Sequence, residues 1–342
     1  MARLQTPLTL RKCPGIFRFY YNAGTIGQSI WRSTDIGKTW HRASNGIFPE
    51  ADIRAIVVHP TDSNTLYAGT EKGIVKSTNG GDTWKHMPSE MDSREVWSLA
   101  IHPTAPDTLY AGTCPSAFFK TTDGGDTWAQ LDAELAQECE GIPIIPRVTT
   151  IIIDPEDHET VYAGIEIDGM RLSTDGGKTW DDRSEGLSSL DIHGLTVVPG
   201  DQKAVVAATN NDVCITTDMH SWTPLQVRNH FPWPYCRAAF YLNGENAKVF
   251  IGAGNGPPGD QGGIFYMQDT DAAQDAEAIR WDRSDIGMTA NSTIWCFGYN
   301  SRVNGLLIAC SVSGQLFLSE DNGGSWAKLT HEFGEVRALA VA

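Results

Sequence analysis

The chain has little positive charge. Its 342 residues carry 26 lysines and arginines against 42 aspartates and glutamates, a formal net charge of −16. A polyanion would be repelled along most of such a surface, so neither nucleic acid nor membrane is expected as a partner. No apolar run approaches the length of a membrane span. The opening residues Met1 to Cys13 lack the apolar core of a secretory signal. No HxH, HExxH or CxxC spacing occurs, so no cofactor is expected and no metal ligand is assigned. A divalent metal has weak support at two places where ligating types can meet, Glu166, Asp168 and His193, or His230 and Cys236.

Cysteine forms an odd set of seven, Cys13, Cys114, Cys139, Cys214, Cys236, Cys296 and Cys310, without the spacing of a disulfide framework. Reduced thiols in the cytoplasm are the simplest expectation. Cys296 and Cys310 fall inside expected strands, as small core residues. Cys114, Cys139 and Cys236 lie on or beside loops of one face, where a reactive thiol would need a lowered pKa.

What the chain does have is a repeat. Its best copies read Ser33-Thr34-Asp35-Ile36-Gly37-Lys38-Thr39-Trp40 and Ser173-Thr174-Asp175-Gly176-Gly177-Lys178-Thr179-Trp180. Further copies run from Ser77 to Trp84, Thr121 to Trp128 and Ser319 to Trp326. Thr216 to Trp222 is one residue short, and the remaining unit keeps only Gly263-Ile264-Phe265-Tyr266 and a late Trp281. Serine, aspartate and glycine at the centre suit a tight hairpin. A period of roughly 40 to 50 residues, all of it strand, indicates a propeller.

The second copy shows the whole unit. Ile53 to His59 is an apolar strand, Pro60 to Asn64 a turn, Thr65 to Thr70 a second strand and Gly73 to Ser77 a third. The hairpin then leads through Trp84 into an outer fourth strand. The predicted fold is all-β, a seven-bladed β-propeller of four-stranded antiparallel blades in one domain, 1–342. The blades fall at approximately 15–48 plus 335–342, 52–90, 94–133, 147–186, 191–227, 235–284 and 293–331. Val336 to Ala342 reads as the first strand that the N-terminal blade lacks, so the C-terminal strand is expected to close the ring beside it.

These boxes resemble the Asp-box, or BNR repeat, of sialidase-like propellers, of sortilin-type Vps10 ectodomains, of xyloglucanase-type glycosyl hydrolases and of Ycf48-type photosystem assembly factors. The resemblance runs through nearly the whole chain. It implies that the boxes lie on hairpins away from the ligand face, with Asp35, Asp175 and their equivalents as turn residues. The Arg-Ile-Pro signature of true sialidases is absent, and those enzymes close with six blades. Ycf48-type factors match in length and blade number and use an arginine patch on membrane-protein partners.

Function is expected where the innermost strands begin, because those side chains ring the channel mouth. One register position holds Arg54, Trp97, Thr149, His193, Arg237, Trp295 and Arg337. Two residues earlier, on the same side by the period of two, stand Asp52, Glu95, Arg147, Asp191, Tyr235, Thr293 and Glu335. Arginines converging in an acidic protein suggest a pocket that grips a carboxylate or phosphate. The expected ligand is a small anionic molecule, a sugar acid or an aromatic acid. The expected ligand-binding set is Arg54, Arg237, Arg337, Arg147, Trp97, Trp295 and Trp233. His193, Tyr235, Asp191 and Glu95 supply acid–base types for a hydrolase or lyase of glycosidase-like kind. The alternative is a non-catalytic interaction or assembly scaffold of Ycf48 or Vps10 type with a protein partner, its arginines merely paired with Asp52, Glu95 and Glu335. Long loops such as Phe231-Pro232-Trp233-Pro234-Tyr235 and 138–143 on the mouth face suit either reading.

Overall fold

The computed structural model describes residues 20–139, 141, 143–244, 247–268, 279–284, 289–300, 302 and 305–342. Met1 to Cys13, the first five residues of the expected first blade, and Glu140 and Ile142 of the 138–143 loop lie outside the described residues. Among the described residues, 28 strands form seven four-stranded antiparallel sheets, and no helix is long and apolar enough to cross a membrane. The fold is a seven-bladed propeller. The last strand, Glu335–Val341, pairs antiparallel with Tyr21–Ile26 and so joins the two ends of the chain in one blade. The other innermost strands are Ile53–Val58, Glu95–Ile101, Val148–Ile153, Ile192–Val198, Tyr235–Leu242 and Ile294–Tyr299.

The repeated hairpin is built from its own side chains. In the first copy Asp35 Oδ1 accepts from the Thr39 amide at 2.8 Å, Oδ2 accepts from the Thr39 hydroxyl at 2.6 Å, and Ser33 Oγ accepts from the Gly37 amide at 2.9 Å. In the second copy Asn79 Oδ1 likewise accepts from the Thr83 amide at 2.9 Å, while its Nδ2 donates to the Thr83 hydroxyl at 2.9 Å. The motif therefore needs an oxygen acceptor rather than a charge.

The same hairpins clasp neighbouring blades. Tyr67 and Lys76 of one blade both donate to the Gly124 carbonyl of the next, at 2.9 and 3.0 Å. Tyr110 and Lys120 repeat this at Gly176, at 2.9 and 2.8 Å. The hairpin tryptophans pack backwards, Trp180 onto Phe118 with ring centroids 4.3 Å apart and Trp326 edge-on to Phe250. The apolar core accordingly lies between blades: one cluster joins Phe250, Ile264 and Ile294 to Leu307, Phe317 and Trp326.

Close blade contact depends on glycine in the second strand. A Cβ on Gly112 would stand 2.4 Å from Val148 of the next blade, and one on Gly164 would stand 2.5 Å from Ile192. Gly24, Gly69 and Gly252 face Ile53, Val96 and Ile294 in the same way.

Candidate functional site

Every innermost strand slips by one residue at the same height. Ile53 pairs with Thr70 and Ala55 with Gly69, which leaves Arg54 as an extra, bulged residue. The slip falls likewise on Trp97, Thr149, His193, Arg237, Trp295 and Arg337. A bulge re-aims the side chain of its extra residue. These seven residues, predicted from register, all line one central cavity of about 300 Å³. Below them the wall is apolar and includes Ile56, Leu99, Ile151, Leu195, Phe297 and Leu339.

Two stacks of arginine on tryptophan occupy the mouth. Trp97 lies between Arg54 and Arg147, each guanidinium carbon 4.5 Å from a ring centroid. Trp295 lies between Arg237 at 3.9 Å and Arg337 at 3.8 Å. A desolvated cation over an indole face gains about 2 kcal/mol. The acids two residues before the ring touch it: Asp52 meets Arg54 at 3.2 Å, Glu335 meets Arg337, and Glu95 accepts from Trp97 Nε1 at 2.8 Å. Glu95 also lies 3.3 Å from Arg54, and Glu166 lies 2.7 Å from Arg147.

Arg237 is the exception. It is 7% exposed, and among the described residues no carboxylate lies within ion-pair distance. The cause is in its own strand, where the position two residues earlier holds Tyr235 in place of an acid. Burial pulls the guanidinium below the usual arginine range, while the charges of Glu166 and Asp191 oppose that from farther away.

His193 and Asp191 stand beside it. His193 Nδ1 lies 2.9 Å from the Cys236 carbonyl oxygen, which can only accept, so Nδ1 carries the proton of the neutral ring. His193 Nε2 lies 3.2 Å from Asp191 Oδ1. Burial pushes Asp191 up, but His193, Arg237 and Arg147 outweigh it and hold the carboxyl below its ordinary range. The Tyr235 ring lies 4.9 Å from His193, and burial, with Asp191 and Glu166, raises its phenol, which keeps the proton.

Trp233 is placed away from this cavity. It lies over blade six, with the Arg283 guanidinium carbon 5.6 Å from its ring. Phe231 beside it stacks on Phe265 at 3.9 Å and so turns the segment into a cap on the blade. Asp168 also differs from expectation: it pairs with Arg171 at 3.0 Å inside its own hairpin. Glu166, Asp191 and His193 bring ligating atoms within 4.8 Å of one another. His230 is exposed and Cys236 buried, with its thiol pushed up by burial, and burial raises Cys114 as well. Cys13 lies outside the described residues.

Fold and mouth together define a seven-bladed propeller with a basic and aromatic ring over an apolar channel. The model of the sortilin (neurotensin receptor 3) Vps10 family matches residues 28–147, about a third of the chain. A comparison with curated protein sequences gives no match. Among solved structures, Ycf48 bound to a D1 peptide is 13% identical with a TM-score of 0.54, covering 82% of this chain and 81% of that one. Ycf48 from Cyanidioschyzon merolae is 15% identical with a TM-score of 0.57, covering 82% and 85%. The xyloglucanase of glycoside hydrolase family 74 from Xanthomonas campestris is 16% identical with a TM-score of 0.61 over 87% of this chain, which spans 46% of the enzyme. The propeller fold is thus one that this chain shares with a glycoside hydrolase and with a protein solved with a bound peptide.

Proposed function

We propose that the channel mouth binds a small organic anion with an apolar or aromatic body and that the chain acts on it as a hydrolase or lyase. The observation that carries this reading is Arg237, a buried guanidinium at the lip of an apolar cavity, without a carboxylate partner among the described residues. Leaving a buried charge without a counter-ion is costly unless a ligand supplies one. An anionic head on Arg237 with its body against the apolar wall of the cavity satisfies both surfaces. His193 and Asp191 are the reactive types beside it. Glu95 is engaged by Trp97 and Arg54 and Tyr235 lies against the His193 ring, so the reading gives the acid–base role to His193 and Asp191.

A screen of aromatic acids, sugar acids and phosphates by ligand-observed NMR tests the reading. One anion class that binds wild type and is lost in Arg237→Gln supports it; no binding by any anion at millimolar concentration refutes it. A second reading, a peptide-binding scaffold, is favoured by Ile145 and Leu190, 52% and 47% exposed on the mouth face, and by the peptide-bound Ycf48 fold neighbour. Peptide capture lost in Ile145→Ser with Leu190→Ser, and kept in Arg237→Gln, would select it.

A further inference from the structure

His193 Nε2 and Asp191 Oδ1 face each other at 3.2 Å, and with the imidazole neutral no proton lies between them. Nδ1 donates to the Cys236 carbonyl, so in the neutral ring Nε2 is a lone pair. Asp191 Oδ1 is buried and accepts no hydrogen bond. Two acceptors at this distance repel unless a cation lies between them. Glu166 contributes a third ligating atom within 4.8 Å of both, its carboxylate steadied by Arg147 Nε at 2.7 Å.

We propose that Glu166, Asp191 and His193 bind a divalent transition-metal ion, Zn²⁺ or Mn²⁺. One imidazole with two carboxylates suits these ions, whereas an all-oxygen set would suit Ca²⁺ or Mg²⁺. Two donors about 2.1 Å from one ion and about 100° apart stand roughly 3.2 Å from each other. That is the separation of Nε2 from Oδ1. The Nδ1 bond to a backbone carbonyl is the outer-shell arrangement that fixes the tautomer of a metal-bound histidine. His193 is 6% exposed, so the ring is held in place by the fold rather than by solvent. Three protein donors leave coordination positions for water or for an anion held on Arg237. The cation site goes beyond the anion reading and stands without it.

The sequence brings Glu166 and His193 together with Asp168, but Asp168 pairs with Arg171 and Asp191 takes its place as the third ligating group. The test is isothermal titration of metal-free full-length protein with Zn²⁺ and with Mn²⁺, with no anion added, together with Co²⁺ absorption spectra. One saturable equivalent is expected, weakened about tenfold or more in Glu166→Gln and in Asp191→Asn. Arg237→Gln, which removes a cation near the site, is expected to bind the metal at least as tightly as wild type, which separates this result from failure of the anion reading. Metal-free Asp191→Asn, whose amide can donate to Nε2, is expected to unfold at or above the wild-type temperature. Absence of saturable binding of either ion, or unchanged affinity in both carboxylate variants, would overturn the proposal. So would marked destabilisation of metal-free Asp191→Asn, because the cation between the two groups would then be a proton on His193.

Discussion

The Arg237 guanidinium carbon lies 3.9 Å over the Trp295 ring, so an aromatic face holds the mouth's one buried arginine that lacks a carboxylate among the described residues. Arg337 also lies over the same indole, its guanidinium carbon 3.8 Å from the ring centroid. The other mouth arginines each have an acid of the chain's own, which leaves Arg237 as the mouth arginine without an ion-pair partner among the described residues.

Blade spacing gives a sharp prediction. Gly112→Ala places a Cβ 2.4 Å from Val148 Cγ1 and from the Ser98 hydroxyl, across the blade three to blade four contact. Overpacking of this kind costs about 1–3 kcal/mol. Urea unfolding should show that loss, and Gly334→Ala, where a Cβ would meet only Gln28 Nε2 at 3.7 Å and the backbone is not left-handed, serves as the control for crowding.

Asp154 is a buried structural acid. It is fully buried and accepts from Lys203 Nζ at 2.7 Å, the Tyr162 hydroxyl at 2.9 Å and the amides of Glu156 and Asp157. Asp154→Ala strands all of these donors and should cost about 3 kcal/mol. Asp154→Asn should cost less, since one amide oxygen still accepts. Equal losses in the two variants, measured by urea unfolding, would contradict this arrangement.

Acid stability follows from the hairpins. Hydrogen bonds from Thr127 and Thr121 hold Asp123 down to about 2, and bonds from Thr179 and Ser173 hold Asp175 to about 2. Asp154 is also lowered, its bonds to Lys203 and backbone amides outweighing burial. A carboxyl lowered on folding contributes stability that is present above its unfolded value near 4 and lost as pH falls through the folded value. The unfolding temperature should therefore drop between about pH 4 and pH 2. The double variant Asp123→Asn with Asp175→Asn should retain its neutral-pH fold, as native Asn79 shows is feasible, and lose less over the same range. An identical slope in wild type and variant would refute the assignment.

The fold was legible because the five full copies of the repeat carry their whole instruction in eight residues. Acceptor, glycine and tryptophan are adjacent in sequence and act on one hairpin, as the Asp35 and Asp175 bonds show. The ring residues were legible because strand-ending prolines fix their register. The bulge at each ring residue was not, since it is a slip in backbone pairing that no residue type demands. A signal did exist: Gly69, Gly112 and Gly164 follow Tyr-Ala in successive second strands, opposite each slip. Trp233 and Asp168 were misplaced for a common reason. Each found a nearer partner, Arg283 or Arg171, inside its own blade, and sequence gives proximity to a face without giving the direction of a side chain.

The unpartnered charge of Arg237 is the centre of the account, and thermal unfolding against a panel of small anions tests it most directly. A ligand at about a hundred times its dissociation constant adds roughly 2.7 kcal/mol. The account predicts a rise in unfolding temperature for one class of carboxylate or phosphate, absent in an Arg237→Gln variant that folds as wild type does. No rise with any anion, or an equal rise in the variant, would contradict it.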